Sequence, residues 1–229
     1  MQQAYQALRV VSEAQTIHFI LATQPGELML TELQASCESL RASSDGIKAV
    51  ILDFAAPGGS ESARLPGPAN LLAGVCESLR AVPQPVLAIV RADLSEIACR
   101  LCAEADFTLV AHEAEICWPA REEDNARGNV DNRIGGLAAV HLGYATWAAP
   151  AGDLDREAER ILNMLRTKSA LALRLAKASV RIGQQSTGTS LETLRRVNQM
   201  YLEKVMATED AREGLHAFLE KRPPRWNNR

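Results

Sequence analysis

Two apolar runs, Ala49 to Phe54 (AVILDF) and Val86 to Val90 (VLAIV), constrain the fold of this chain more than any other feature. A strand with one wet face alternates apolar and polar residues. These runs do not alternate, so they read as strands covered on both faces, the habit of parallel sheets. Between and around them the period changes. Met29 to Leu40 carries Met29, Leu33 and Leu40 at helical spacing, and Ala69 to Arg80 carries Leu72, Val75, Cys76 and Leu79 on one face before Pro83 and Pro85 stop it. Thr16 to Ala22, Phe107 to Ala111 and Ile116 to Trp118 add shorter strands, and Leu94 to Ala105 reads as a helix. Turn signals at Gln24-Pro25-Gly26, Ser43-Ser44-Asp45-Gly46 and Pro57-Gly58-Gly59-Ser60 punctuate the series. Strands alternating with helices predict β-α crossover units and a largely parallel sheet.

The alternation ends near residue 118. Arg121 to Gly136 (REEDNARGNVDNRIGG) is polar and glycine-bearing and is expected to be a loop. Helices are expected near Leu154–Leu165, Ser169–Ile182, Ser190–Ala207 and Ala211–Lys221, with Ser190 as an N-cap and Arg222-Pro223-Pro224 as a stop. The chain therefore divides into an α/β core over residues 1–152 and a C-terminal helical region over 153–229. An apolar share of 47% in 229 residues is enough for one sizeable core. A net charge of −3 without a basic stripe excludes a nucleic-acid footprint. No apolar run reaches membrane-spanning length. The N-terminus lacks the pattern of a signal peptide, so a cytoplasmic location is expected.

The five cysteines are Cys37, Cys76, Cys99, Cys102 and Cys117. An odd number without a secretion signal argues against a disulfide framework. Cys99 and Cys102 form one C-x-x-C. It reads either as a redox or zinc motif or as two small apolar residues on a buried helix face, and no further ligands stand at zinc-site spacing. The histidines His18, His112, His141 and His216 are scattered, so no metal site is expected.

Several segments resemble the crotonase (enoyl-CoA hydratase/isomerase) superfamily. Ala81-Val82-Pro83-Gln84-Pro85 to Val90 resembles the strand before the family's glycine-rich oxyanion turn. Ala105-Asp106-Phe107 and Glu115-Ile116-Cys117-Trp118-Pro119 resemble the next strand and the Pro-Glu loop. Leu142-Gly143-Tyr144-Ala145-Thr146 to Pro150 resembles the glycine-leucine-valine segment. Thr208-Glu209-Asp210-Ala211-Arg212-Glu213-Gly214 to Trp226, with Tyr201 to Met206 before it, resembles the closing helix. There the likeness is to dienoyl-CoA hydratases of the cyclohexa-1,5-diene-1-carbonyl-CoA type.

The resemblance implies the α/β crotonase (ClpP/crotonase) fold, with helices that build trimers and hexamers. It also implies a coenzyme A thioester as ligand, with no other cofactor. In such a site two backbone N–H groups cradle the thioester oxygen as enolate charge develops, and carboxylates move water and protons. Carried onto this sequence, the oxyanion positions fall on Glu61, where the next residue is Ser62 rather than glycine, and on Ile97, within Glu96-Ile97-Ala98 in place of a triple glycine. The family's two glutamates fall on Arg100 and Ala120. Ala63, Phe218 and Lys221 take the positions that bind CoA. Phe218 would stack on adenine and Lys221 would meet the ribose phosphate; both residue types also suit core packing and plain surface.

Glu96, Glu122, Glu123 and Asp124 are candidate substitute acids, the last three being equally readable as solvated loop charges. The stretch that walls the acyl pocket in the family is shortened to the loop 121–136. The reading that follows is a crotonase-type protein without ordinary hydratase activity, acting as an acyl-CoA binder or as a partner subunit to a crotonase paralogue. The alternatives are an active (di)enoyl-CoA hydratase or isomerase using relocated acids, and a structural or regulatory assembly protein without a CoA site. Arg100 is expected to turn into the former pocket and meet Glu96 or Glu61, because an acid four residues before a base is the favourable order on a helix.

Overall fold

The computed structural model describes residues 5–42, 46–56, 69–117, 133–184 and 191–228. A six-stranded sheet runs in the order β1 (Arg9–Glu13), β2 (Thr16–Ala22), β3 (Ala49–Ala56), β4 (Val86–Val90), β5 (Phe107–Ala111), β8 (Trp147–Ala149). The β1–β2 pair is antiparallel and every later pair is parallel. Each new strand joins beside the one before it, as crossover connections require. The helices α1 (Glu27–Ala42), α2 (Ala69–Ala81) and α3 (Glu96–Cys102) fill the first crossovers. A second, antiparallel pair joins β6 (Glu115–Cys117) to β7 (Arg133–Gly135), and α4 (Gly136–His141) follows at once. The chain then becomes helical through α5 (Leu154–Arg166), α6 (Ala170–Gln184), α7 (Leu191–Met200), a π-helical turn (Tyr201–Val205) and α8 (Glu209–Leu219).

The two apolar runs became β3 and β4. Val50, Ile51, Leu52 and Phe54 are sealed, and so are all five residues of β4. Leu33 and Cys37 of α1 and Val75 and Leu79 of α2 belong to the same core. So do Leu154, Ile161, Leu162 and Leu165 of α5, although α5 lies after residue 153.

Several expectations are corrected. The polar stretch 121–136 is not loop to its end: Arg133–Gly135 pairs with β6, and Gly136 opens α4. The pairing satisfies the backbone groups of a short segment whose side chains give no strand signal. At Gly136 a Cβ would stand 2.1 Å from the Ala111 carbonyl oxygen, so only glycine fits there. Residues 118–132 lie outside the described residues, as does the Ser190 cap. The helix expected over 190–207 is instead α7 followed by the π turn. The helix expected over Leu94–Ala105 is shortened to Glu96–Cys102, because Ser95 caps it and its Oγ accepts from the Ala98 N–H.

Two lysines tie the helical part to the edge of the sheet where the parallel strands begin. Lys48 precedes β3 and donates to the Arg166 carbonyl at 2.6 Å, placing a cation at the C-terminus of α5, where the helix dipole favours it. Lys177 of α6 is buried and donates to the Gln84 carbonyl at 2.8 Å, just before β4. It also pairs with Asp106 just before β5. Desolvation dominates here and pushes the Lys177 ammonium down to about 8, against the raising effect of Asp106.

The last residues fold back onto the helices. Asp210, buried on α8, accepts from Ser169 Oγ and from the backbone N–H groups of Asn227 and Asn228. Glu213 takes both arms of Arg222 and the Arg225 N–H, and the hydrogen bonds from Arg222 hold its carboxyl down to about 2. Trp226 Nε1 donates to the Thr167 carbonyl at 2.6 Å.

Candidate functional site

Ile97, the position the resemblance assigned to an oxyanion donor, lies in the first turn of α3, which follows β4. Ser95 holds the helix start in place: its N–H donates to the Thr23 carbonyl at the end of β2, at 3.0 Å. Asp93 accepts the Glu115 N–H at 2.8 Å, tying the same loop to β6. Ala98, Cys99, Leu101 and Cys102 face the core, so α3 has one buried face and one outer face. Ile97 is half-buried and packs against the core. At the second position of the helix its N–H has no intrahelical acceptor, since the first turn of any helix leaves its donors free. Glu96 and Arg100 are exposed on the outer face.

The expected pairing of Arg100 with Glu96 is therefore corrected. Among the described residues no ion pair engages it, and Glu96, one turn earlier, does not meet it. The physical reason is that an exposed helical pair gains only about 0.3–0.5 kcal/mol and loses side-chain entropy. Glu61, the other partner expected for Arg100, lies outside the described residues, as do Ala63, Ala120, Glu122, Glu123 and Asp124.

The C-x-x-C is the buried helix face. Desolvation pushes the Cys99 and Cys102 thiols up to about 12, which keeps both protonated and unreactive at neutral pH. Among the described residues no group of His, Cys, Asp and Glu could hold a metal. No helix among them is long and apolar enough to cross a membrane.

At the other end of the chain, α8 presents Phe218 to solvent at 79% exposure. Its C-terminus closes in a Schellman arrangement. The Arg222 N–H donates to the Ala217 carbonyl and the Lys221 N–H to the Phe218 carbonyl, with Lys221 in the left-handed region at φ 53°. Glycine is the usual residue at that position, so the lysine is held there against a backbone preference.

Back at the C-terminal end of β4, beside α3, sequence reasoning missed a bridge of two ion pairs. Arg91, directly after β4, bridges Asp53 of β3 and Asp155 of α5 at 2.8 and 2.7 Å. The apolar run that flagged β3 already contained Asp53, and a lone carboxylate inside such a run is a signal that a cation must meet it.

Residues 130–229 match the family model for enoyl-CoA hydratase/isomerase. A cyclohexa-1,5-dienecarbonyl-CoA hydratase of Thauera aromatica is 37% identical over 115 residues, which is 50% of this chain and 39% of that protein. The chain thus spans well under half of the length of this curated relative. Among solved structures, the enoyl-CoA hydratase of Bacillus anthracis superposes with a TM-score of 0.79 at 22% identity, covering 98% of this chain and 100% of that one. The enoyl-CoA hydratase of Mycobacterium smegmatis gives 0.78 at 21% identity, covering 96% and 99%. The C-terminal part of the chain, residues 130–229, is thus similar to the enoyl-CoA hydratase/isomerase family, and the chain as a whole shares the fold of the solved enoyl-CoA hydratases.

Proposed function

We propose that this protein binds an acyl-CoA thioester without performing ordinary hydration, and that it works as a subunit of a larger assembly. The observation that carries the reading is α3. Its first turn leaves the Ile97 N–H free to accept negative charge, while the residue at the family's acid position is an exposed arginine, Arg100. A donor can hold a thioester oxygen; a guanidinium cannot serve as general base near neutral pH. Ala120, at the second acid position, has no titratable group. Lys221 adds support, because a side chain kept at positive φ on a surface turn suggests a job for its ammonium.

The assembly half of the proposal rests on exposed apolar side chains. Leu194 of α7, Tyr201 and Leu202 of the π turn, and Leu215, Phe218 and Leu219 of α8 are all half or more exposed. Apolar surface gathered on consecutive elements marks an interface. A homotrimer is the default closed assembly, and a mixed oligomer with a crotonase paralogue is the sharper form.

A second reading keeps an active hydratase or isomerase with Glu96 as the relocated acid, since Glu96 is exposed one residue from the Ile97 N–H. Calorimetric titration with crotonyl-CoA, paired with a hydration assay at the enoyl-thioester absorbance, separates the two. Binding without turnover supports the proposal. Turnover that disappears in Glu96→Gln supports the second reading. Absence of binding to any CoA species leaves only an assembly role.

A further inference from the structure

At the sheet edge where the parallel strands begin lies a cavity of about 350 Å³, within the range of small-ligand sites. It sits at the opposite ends of β4 and β5 from the α3 site. Pro85 and Phe107 form its floor, and α6 forms a wall with Leu173, Ala176, Lys177, Val180, Arg181 and Gln184, which recur at helical spacing and so share one face. Asp106, Arg80 and Glu104 also line it, the last two joined by two hydrogen bonds at 2.8 and 2.5 Å.

The charges of this lining do not balance. Arg80 is matched by Glu104, and Lys177 is matched by Asp106. Arg181 is left over. It is half-buried, and among the described residues no hydrogen bond or ion pair engages it. Burial lowers its pKa, with Asp106 and Glu104 working against that and Arg80 with it. A partly desolvated guanidinium without an acceptor, beside an apolar wall, is a site waiting for an anion with an apolar body.

We propose that this cavity binds a small monocarboxylate with a compact apolar body, its carboxylate on Arg181 and its ring or chain against Pro85, Phe107, Leu173 and Val180. One surplus positive charge calls for one negative charge, and the planar fork of an arginine matches a carboxylate in two parallel bonds. The volume holds a ring-sized acid and is too small for a CoA thioester. The proposal is independent of acyl-CoA binding at α3.

The test is calorimetry on the full chain with benzoate and cyclohexanecarboxylate. Benzamide serves as the neutral shape control and inorganic phosphate as the charge control. Both acids are expected to bind at roughly 1 mM or tighter, and benzamide and phosphate at least tenfold more weakly. Arg181→Gln is expected to weaken the acids by about 10- to 100-fold. Ala176→Leu, at an exposed position on the cavity wall, is expected to block them by filling the space while the circular dichroism spectrum stays unchanged. Saturating CoA should leave benzoate binding untouched. Displacement of benzoate by CoA would overturn the assignment. So would equal binding of benzamide, affinity unmoved by Arg181→Gln, or an acidic side chain of a second copy seated on Arg181 in the assembled protein.

Discussion

The strand pair β3–β4 and the helices α7–α8 both carry large apolar side chains, yet they dispose of them differently. In β4 every side chain is buried within this one chain. On the π turn Leu202 stays 58% exposed, and on α8 Leu219 stays 69% exposed. The first region closes on itself. The second is held in place mainly by polar links, chiefly Asp210 and Glu213, and keeps its apolar face outward. One region therefore stores the stability of the single chain, and the other leaves apolar surface open, which the proposed assembly would bury.

That contrast is open to mutation. The largest effect is expected for Leu52→Ala in β3, with a loss of about 3–4 kcal/mol in urea unfolding, because a sealed site cannot collapse around the cavity. Lys177→Met should cost about 3 kcal/mol by leaving Asp106 without its cation, and the double variant with Asp106→Asn should cost less than the single. This pair also carries a pH signature. With its folded pKa at about 8 and the ordinary lysine value at 10.5, the unfolded chain holds the lysine proton longer. The Lys177 contribution should therefore become more favourable as pH rises from 8 toward 10.5. It is measured as the wild-type minus Lys177→Met stability difference, and a difference that shrinks over this window would reverse the assignment of desolvation as the dominant cause.

Asp210→Ala should cost about 1–3 kcal/mol by orphaning Ser169 and the last backbone donors, with faster amide exchange confined largely to residues 222–228. The smallest effect on the single chain belongs to Phe218→Ser, within about 0.5 kcal/mol, since a side chain already in water loses little. The same substitution should lower the assembled mass in sedimentation. If it unfolds the chain instead, α8 belongs to the closed region and the comparison fails.

The elements most legible in the sequence were those whose side chains carry the physics. β3 and β4 announced themselves as unbroken apolar runs, and α1 and α2 through helical spacing. β1 gave no such signal. Its hairpin turns through Ala14 and Gln15, both at positive φ, where Asn-Gly would have flagged the turn. β7 and β8 are three residues each, too short for any period to show. At the site, spacing located α3 but not the direction of its side chains, so Arg100 was expected inward and stands outward. The cavity at Arg181 draws on residues from Arg80 to Gln184, a convergence that only the packed chain creates.

Gly135 and Gly136 stand side by side in the sequence, and nothing local distinguishes them. A Cβ on the first would meet empty space, while one on the second would collide with the Ala111 carbonyl oxygen. The first is thus a position that drift can rewrite freely. The second is a fixed letter, because any other residue would prise α4 away from the end of β5. An inventory of natural or laboratory variants would then show adjacent columns of opposite character, one permissive and one silent, set apart by a carbonyl contributed from another strand.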